Sequence, residues 1–143
     1  MKKTILAAVM ICFIAAIFTG CTRNNLVTPT QTPSQIILGK WTMQSAVGHY
    51  IDQGGDTRDT TLFTSADYFK FNADSTLNIM ASNVAYNGKW YIQNNKLFIT
   101  GTAYMDWYPS GFMLPTLTAH KLQLYDTTTT NISVLQQTLT LTR

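Results

Sequence analysis

The chain has 143 residues, 45% of them hydrophobic, enough for one small domain with a core of its own. Its formal charge of +3 includes Lys2 and Lys3 at the start, so the remainder is nearly neutral and offers no basic face for nucleic acid or anionic lipid. All seven acidic residues are Asp; the lack of Glu, beside much Thr, Tyr, Phe, Ile and Asn, favours strands and turns over helices and thins the supply of acid–base groups.

Lys2 and Lys3 are followed by an apolar run from Thr4 to Phe18 and then by Thr19-Gly20-Cys21. The run is shorter than the roughly 20 apolar residues that span a bilayer. With a small residue just before the cysteine, it has the form of a secretory signal and its cleavage site. Phe18-Thr19-Gly20-Cys21 resembles the lipobox of bacterial lipoproteins, with Phe18 in place of the usual Leu. That resemblance implies removal of residues 1–20 and lipid attachment at Cys21. The other cysteine, Cys12, lies inside the signal, so no disulfide is expected in the exported domain.

Residues 21–35 carry Pro29 and Pro33 among polar residues without periodicity. They read as a tether from the anchor, reaching on the order of 20 Å if flexible. A single domain is expected over residues 36–143.

From Ile36 onward apolar residues recur with a period of two. Trp41, Met43 and Ser45 share one face, as do Phe69 with Phe71, Leu77 with Ile79, and Trp90 with Ile92. Leu97 with Ile99, Leu122 with Leu124, and Leu139 with Leu141 repeat the pattern. Short alternating runs of β-formers predict half-buried antiparallel strands. Asn94-Asn95 suits a tight hairpin, because both residues tolerate positive φ. Residues 72–75 read as a turn, Asn87-Gly88 as a hairpin turn or a bulge, and the slip of apolar phase between Val134 and Leu135 as a bulge.

Leu38-Gly39-Lys40-Trp41, the run from Tyr68 to Thr76, Gly88-Lys89-Trp90, Asn95-Lys96-Leu97 and Leu117-Thr118-x-x-x-Leu122-x-Leu124 follow one another in an order similar to the lipocalin-like domains of Gram-negative outer-membrane lipoproteins. Ser75 departs from the Gly usual after Asp, and the aromatic segment after residue 103 is an insertion. The resemblance implies a barrel with Trp41 at its floor. It agrees with the periodicity, since antiparallel strands with one apolar face cover it, and lose their edges, by closing. The expected fold is therefore all-β, a single antiparallel up-and-down β-barrel of about eight strands, which holds side chains or one small ligand.

Chemistry-bearing constellations are few. Asp52, Asp56 and Asp59 lack the alternating oxygen ligands of a calcium loop and read as a solvated loop. His49 has no second histidine nearby, because His120 is far along the chain, so no metal is expected. No mature thiol, nucleophile elbow or Gly-rich phosphate loop is present, and neither enzymatic activity nor a cofactor is expected. The candidate site is the aromatic segment from Tyr104 to Pro115, read as a hairpin tip around Pro109-Ser110-Gly111. Tyr104, Trp107, Tyr108 and Phe112 would line a ligand portal there, with Met113 beside them, or form a contact patch. Asp59-Thr60-Thr61, Asp74-Ser75-Thr76 and Asp126-Thr127-Thr128 resemble acceptors of a Gram-negative O-glycosylation system and read as turns; Asn131-Ile132-Ser133 fits an N-glycosylation pattern, which a bacterial envelope rarely uses, and is set aside.

These readings combine into an outer-membrane protein, anchored by lipid at Cys21 and facing the periplasm, that binds a small apolar or amphipathic molecule. The alternative is an accessory subunit with a filled barrel that contacts another envelope protein. Neither reading involves nucleic acid.

Overall fold

A computed structural model describes residues 30–105 and 110–143. The first element is a short helix, α1 (Pro33–Ile36), with Pro33 in its first turn. Thr32 and Gln35 cap it reciprocally: Gln35 N donates to Thr32 Oγ1 and Thr32 N to Gln35 Oε1. This helix lies inside the segment expected to be tether, where a capping box rather than apolar periodicity carries the signal. Ile37, the residue that ends the helix, is fully buried.

Nine strands follow: β1 (Gly39–Asp52), β2 (Gly55–Leu62), β3 (Tyr68–Phe71), β4 (Thr76–Ala81), β5 (Val84–Gln93), β6 (Lys96–Thr100), β7 (Phe112–Leu117), β8 (Lys121–Thr129) and β9 (Ser133–Thr142). All pair antiparallel, and pairing of β1 with β9 closes an eight-stranded barrel to which β2 adds an extra strand. The expected all-β barrel is present. The one departure from sequential order is that β1 lies between β2 and β3. Both run along the same strand: β3 pairs with Gly39 to Thr42 and β2 with Ser45 to Asp52. They are two halves of one ribbon, interrupted by residues 63–67.

Asp67 holds that interruption. Its carboxylate accepts hydrogen bonds from Thr64 N and Oγ1 (both 2.8 Å) and from Ser82 N (2.7 Å), tying the break to the β4–β5 turn. Only 4% of Asp67 is exposed, and these donors hold its carboxyl below the ordinary carboxylate range, with the Thr64 backbone bond as the largest cause.

The lower barrel is solid. Trp41, Met43, Phe69, Phe71, Leu77, Ile79, Leu97, Leu122, Leu124 and Leu141 are all essentially inaccessible, so the alternating positions read from the sequence do face inward. Trp41 Nε1 donates to Ile37 O at 2.6 Å, and the Arg143 guanidinium lies 4.3 Å from the Trp41 ring. Arg143 also donates to Ala119 O (2.6 Å), Leu38 O (2.5 Å) and Ile36 O (2.9 Å). This one side chain binds the end of β9, the β7–β8 turn and the segment after α1 into a closed floor.

The turns agree in part with expectation. Asn94 and Asn95 have φ of 50° and 60°, the mirror-image turn that matches strand twist. Residues 72–75 do turn, and Ser75 has φ of 65°, the conformation that explains a preference for Gly there. Asn87-Gly88 is neither hairpin nor bulge. Both lie within β5, and the β4–β5 turn is Ser82-Asn83, again with both φ positive. Gly88 is required by close approach, since a Cβ there would fall 2.8 Å from Thr100 O.

The bulge is also displaced from its expected place. Register in β9 runs unbroken from Ser133 to Leu139, and the shift lies between Met43 and Ser45 of β1. Gln44 is the extra residue, and its carbonyl accepts Phe63 N at 3.2 Å. Below it Trp41 and Met43 face inward; above it the phase inverts and Ala46, Gly48 and Tyr50 do so in place of Ser45. Leu135, Gln137 and Leu139 stand opposite them. The apparent slip at Val134 is an apolar side chain on the outer face.

Candidate functional site

Above the bulge the barrel opens. β1, β2, β8 and β9 continue upward as a four-stranded wall, whereas β3 and β4 end near Asp67 and Ala81. Between this wall and the β6–β7 segment lies an open cleft of about 370 Å³. Its position follows from the register. Each β1 residue of the inner face has a partner on both sides: Thr61–Ala46–Leu139, Asp59–Gly48–Gln137 and Thr57–Tyr50–Leu135 form three cross-strand rows, and all nine residues line the cleft.

Phe63, Tyr104, Met105, Phe112 and Leu124 complete its floor and far side. Met105 and Phe112 are 6% and 5% exposed, part of the core that the cleft rests upon. Tyr104 is half-buried, its ring edge-on to Phe69 at 6.2 Å and tilted against Tyr86 at 5.1 Å. Gly111, with φ of 71°, turns the chain into β7, and Phe98 fills the space where its Cβ would be. Thus two of the four portal residues, Tyr104 and Phe112, do line the cleft, although Phe112 is core rather than rim. Trp107 and Tyr108 lie outside the described residues, as does Cys21. Met113 is half exposed at the start of β7.

Sequence reading missed Gly48, Asp59 and Gln137. The first disappears behind the bulge, which inverts the inner face without any turn signal. Its spacing in sequence places Asp59 in a solvated loop, but only residues 53–54 turn, and Asp56 to Asp59 belong to β2. Its two faces differ. Asp56 pairs with His49 on the outer face, where His49 also meets Gln136 at 3.2 Å. Asp59 faces the cleft, and among the described residues no side-chain hydrogen bond or ion pair engages its carboxylate.

The remaining candidates are dispersed. Among the described residues no three His, Cys, Asp or Glu side chains come together as a metal site. Of the three glycosylation-like tripeptides only Asp74-Ser75-Thr76 is in a turn; the others lie within β2 and β8. Asp74 accepts Thr76 Oγ1 at 2.6 Å and Thr76 N at 3.0 Å, which lowers its pKa.

Comparison with known proteins finds no matching family model, no matching curated protein and no matching solved structure.

Proposed function

We propose that this protein is a lipid-anchored envelope protein that holds a small amphipathic molecule in the upper barrel. One observation carries the reading: a cleft of about 370 Å³, with an aromatic and aliphatic floor and a few polar groups on one wall, sits on a lower barrel that is packed solid. Such concavity, with mixed lining, is the usual form of a small-molecule site, near the small end of the range. Filling the lower half leaves the upper half as the ligand space, so a short apolar body with an exposed polar end fits better than a long chain threaded through the barrel.

An environment-sensitive apolar dye titrated into the purified protein should give a saturable signal with one site per chain. A signal that rises linearly without saturating would contradict a defined site. The anchor is tested separately: a fatty-acid analogue should label the wild type in cells and fail to label Cys21→Ser.

The alternative, docking to another envelope protein, is favoured by the β2 edge. All eight residues of β2 are exposed, Leu62 to 78%, and among the described residues the strand pairs on one side only. A free edge of this kind accepts an added strand. Replacing Thr60 with Pro would block strand addition there while leaving the cleft face intact.

A further inference from the structure

The middle row of the cleft differs from the rows above and below it. Asp59 and Gln137 stand in register on either side of Gly48, each one strand spacing away, about 4.8 Å. Asp126 continues the row on β8, opposite Gln137. The row beneath is Thr61, Ala46, Leu139 and Leu124, and the row toward the mouth is Thr57, Tyr50, Leu135 and Thr128. The middle row is therefore a polar band, reached by solvent at Asp59, beside an apolar patch formed by Ala46, Leu139 and Leu124. Gly48 lies at its centre, where a Cβ would meet nothing within 4 Å, so the band is open to an incoming group.

The sign of the charge in this band is unopposed. None of the described residues lining the cleft is Lys, Arg or His. The nearest cationic side chain in sequence, Arg58, is in register with His49 on the outer face. Asp56 has His49 as its partner there, while the carboxylate of Asp59 has no such partner among the described residues.

We propose that the cleft selects amphiphiles carrying a protonated amine, with the ammonium held by Asp59 beside Gly48 and the apolar body on Phe63, Phe112 and Leu124. This rests on the reading of the cleft as a ligand site and adds the chemical class of its ligand. The ammonium supplies the charge that the row lacks. A carboxylate or sulfate head would instead meet Asp59 with like charge.

The test compares decylamine, decanol and decanoate by titration calorimetry at neutral pH, each below the concentration at which it aggregates. The wild type should bind protonated decylamine roughly three- to tenfold more tightly than decanol, and decanoate most weakly. The preference should shrink as salt shortens the screening length. Asp59→Asn should bind decylamine and decanol equally while its melting temperature is unchanged. Equal binding of amine and alcohol by the wild type, or a preference that survives Asp59→Asn, would overturn the amine assignment and leave the cleft as a ligand site. Saturable binding of none of the three would overturn both. Retention of full amine binding in Gly48→Leu, which fills the centre of the row, would place binding elsewhere on the surface and likewise overturn the proposal.

Discussion

At the scale of single residues, stability concentrates in two polar anchors. Arg143 makes three hydrogen bonds to backbone carbonyls and stacks on Trp41. Hydrogen bonds from a charged donor contribute more than neutral ones, and a cation–π contact made by an exposed cation such as Arg143 adds about 0.5–1 kcal/mol. Arg143→Ala should therefore cost about 2 kcal/mol in a denaturant titration, and Arg143→Lys nearly as much, because one ammonium cannot span three carbonyls. Trp41→Ala should cost about 3–5 kcal/mol, the usual loss for a large buried aromatic. Trp41 was legible from its motif. Arg143 was not, because its three acceptors belong to residues distant in sequence and only the closed fold brings them within reach.

Asp67 makes stability depend on pH. Its folded pKa is lowered, so its contribution is complete above the unfolded carboxylate value and disappears as pH falls through the folded value. Asp67→Asn should be less stable than the wild type at neutral pH, and the gap should narrow as pH drops below about 4. Denaturation midpoints of the two proteins between pH 7 and pH 2 would show this; a gap that is constant or widens toward acid would assign the effect to packing instead.

At the scale of elements, legibility followed burial. Strands with one face in the packed lower barrel alternate clearly, as in Leu77-Asn78-Ile79 and Leu122-Gln123-Leu124. β2 does not alternate, because one face looks into an open cleft and the other into solvent, so Asp-Thr-Arg-Asp-Thr-Thr is polar on both. The Gln44 bulge escaped notice for a related reason. Above it the inner face consists of Ala46, Gly48 and Tyr50, and two small residues followed by a Tyr that is 42% exposed carry no apolar phase to compare with that of Trp41 and Met43. Hairpin chemistry was legible where it is local, as at Asn94-Asn95. It misled at Asn87-Gly88, where the glycine answers to Thr100 on the neighbouring strand. Gly88→Val should accordingly lose about 1–3 kcal/mol through overpacking, despite the higher strand propensity of Val. A thermal melt equal to wild type would show that β5 and β6 can separate at no cost.

At the scale of the whole domain, a single barrel is divided into a filled half and an open half. The filled half anchors the walls; the open half gathers side chains from β1, β2, β8 and β9 and from the β6–β7 segment into the cleft. Sequence analysis found the aromatic side of that cleft through Tyr104 and Phe112. It missed the polar side, since the cross-strand row of Asp59, Gly48 and Gln137 exists only in register.

Gly48 gives the most direct test of the central claim, that the cleft is the ligand site. Its φ is ordinary and a side chain there would enter open space, so Gly48→Leu should fold normally while occupying the centre of the cleft. Titration of an apolar dye into wild type and Gly48→Leu, with thermal melts alongside, should show affinity falling at least about tenfold at an unchanged melting temperature. Undiminished dye binding by a normally folded Gly48→Leu would contradict the account.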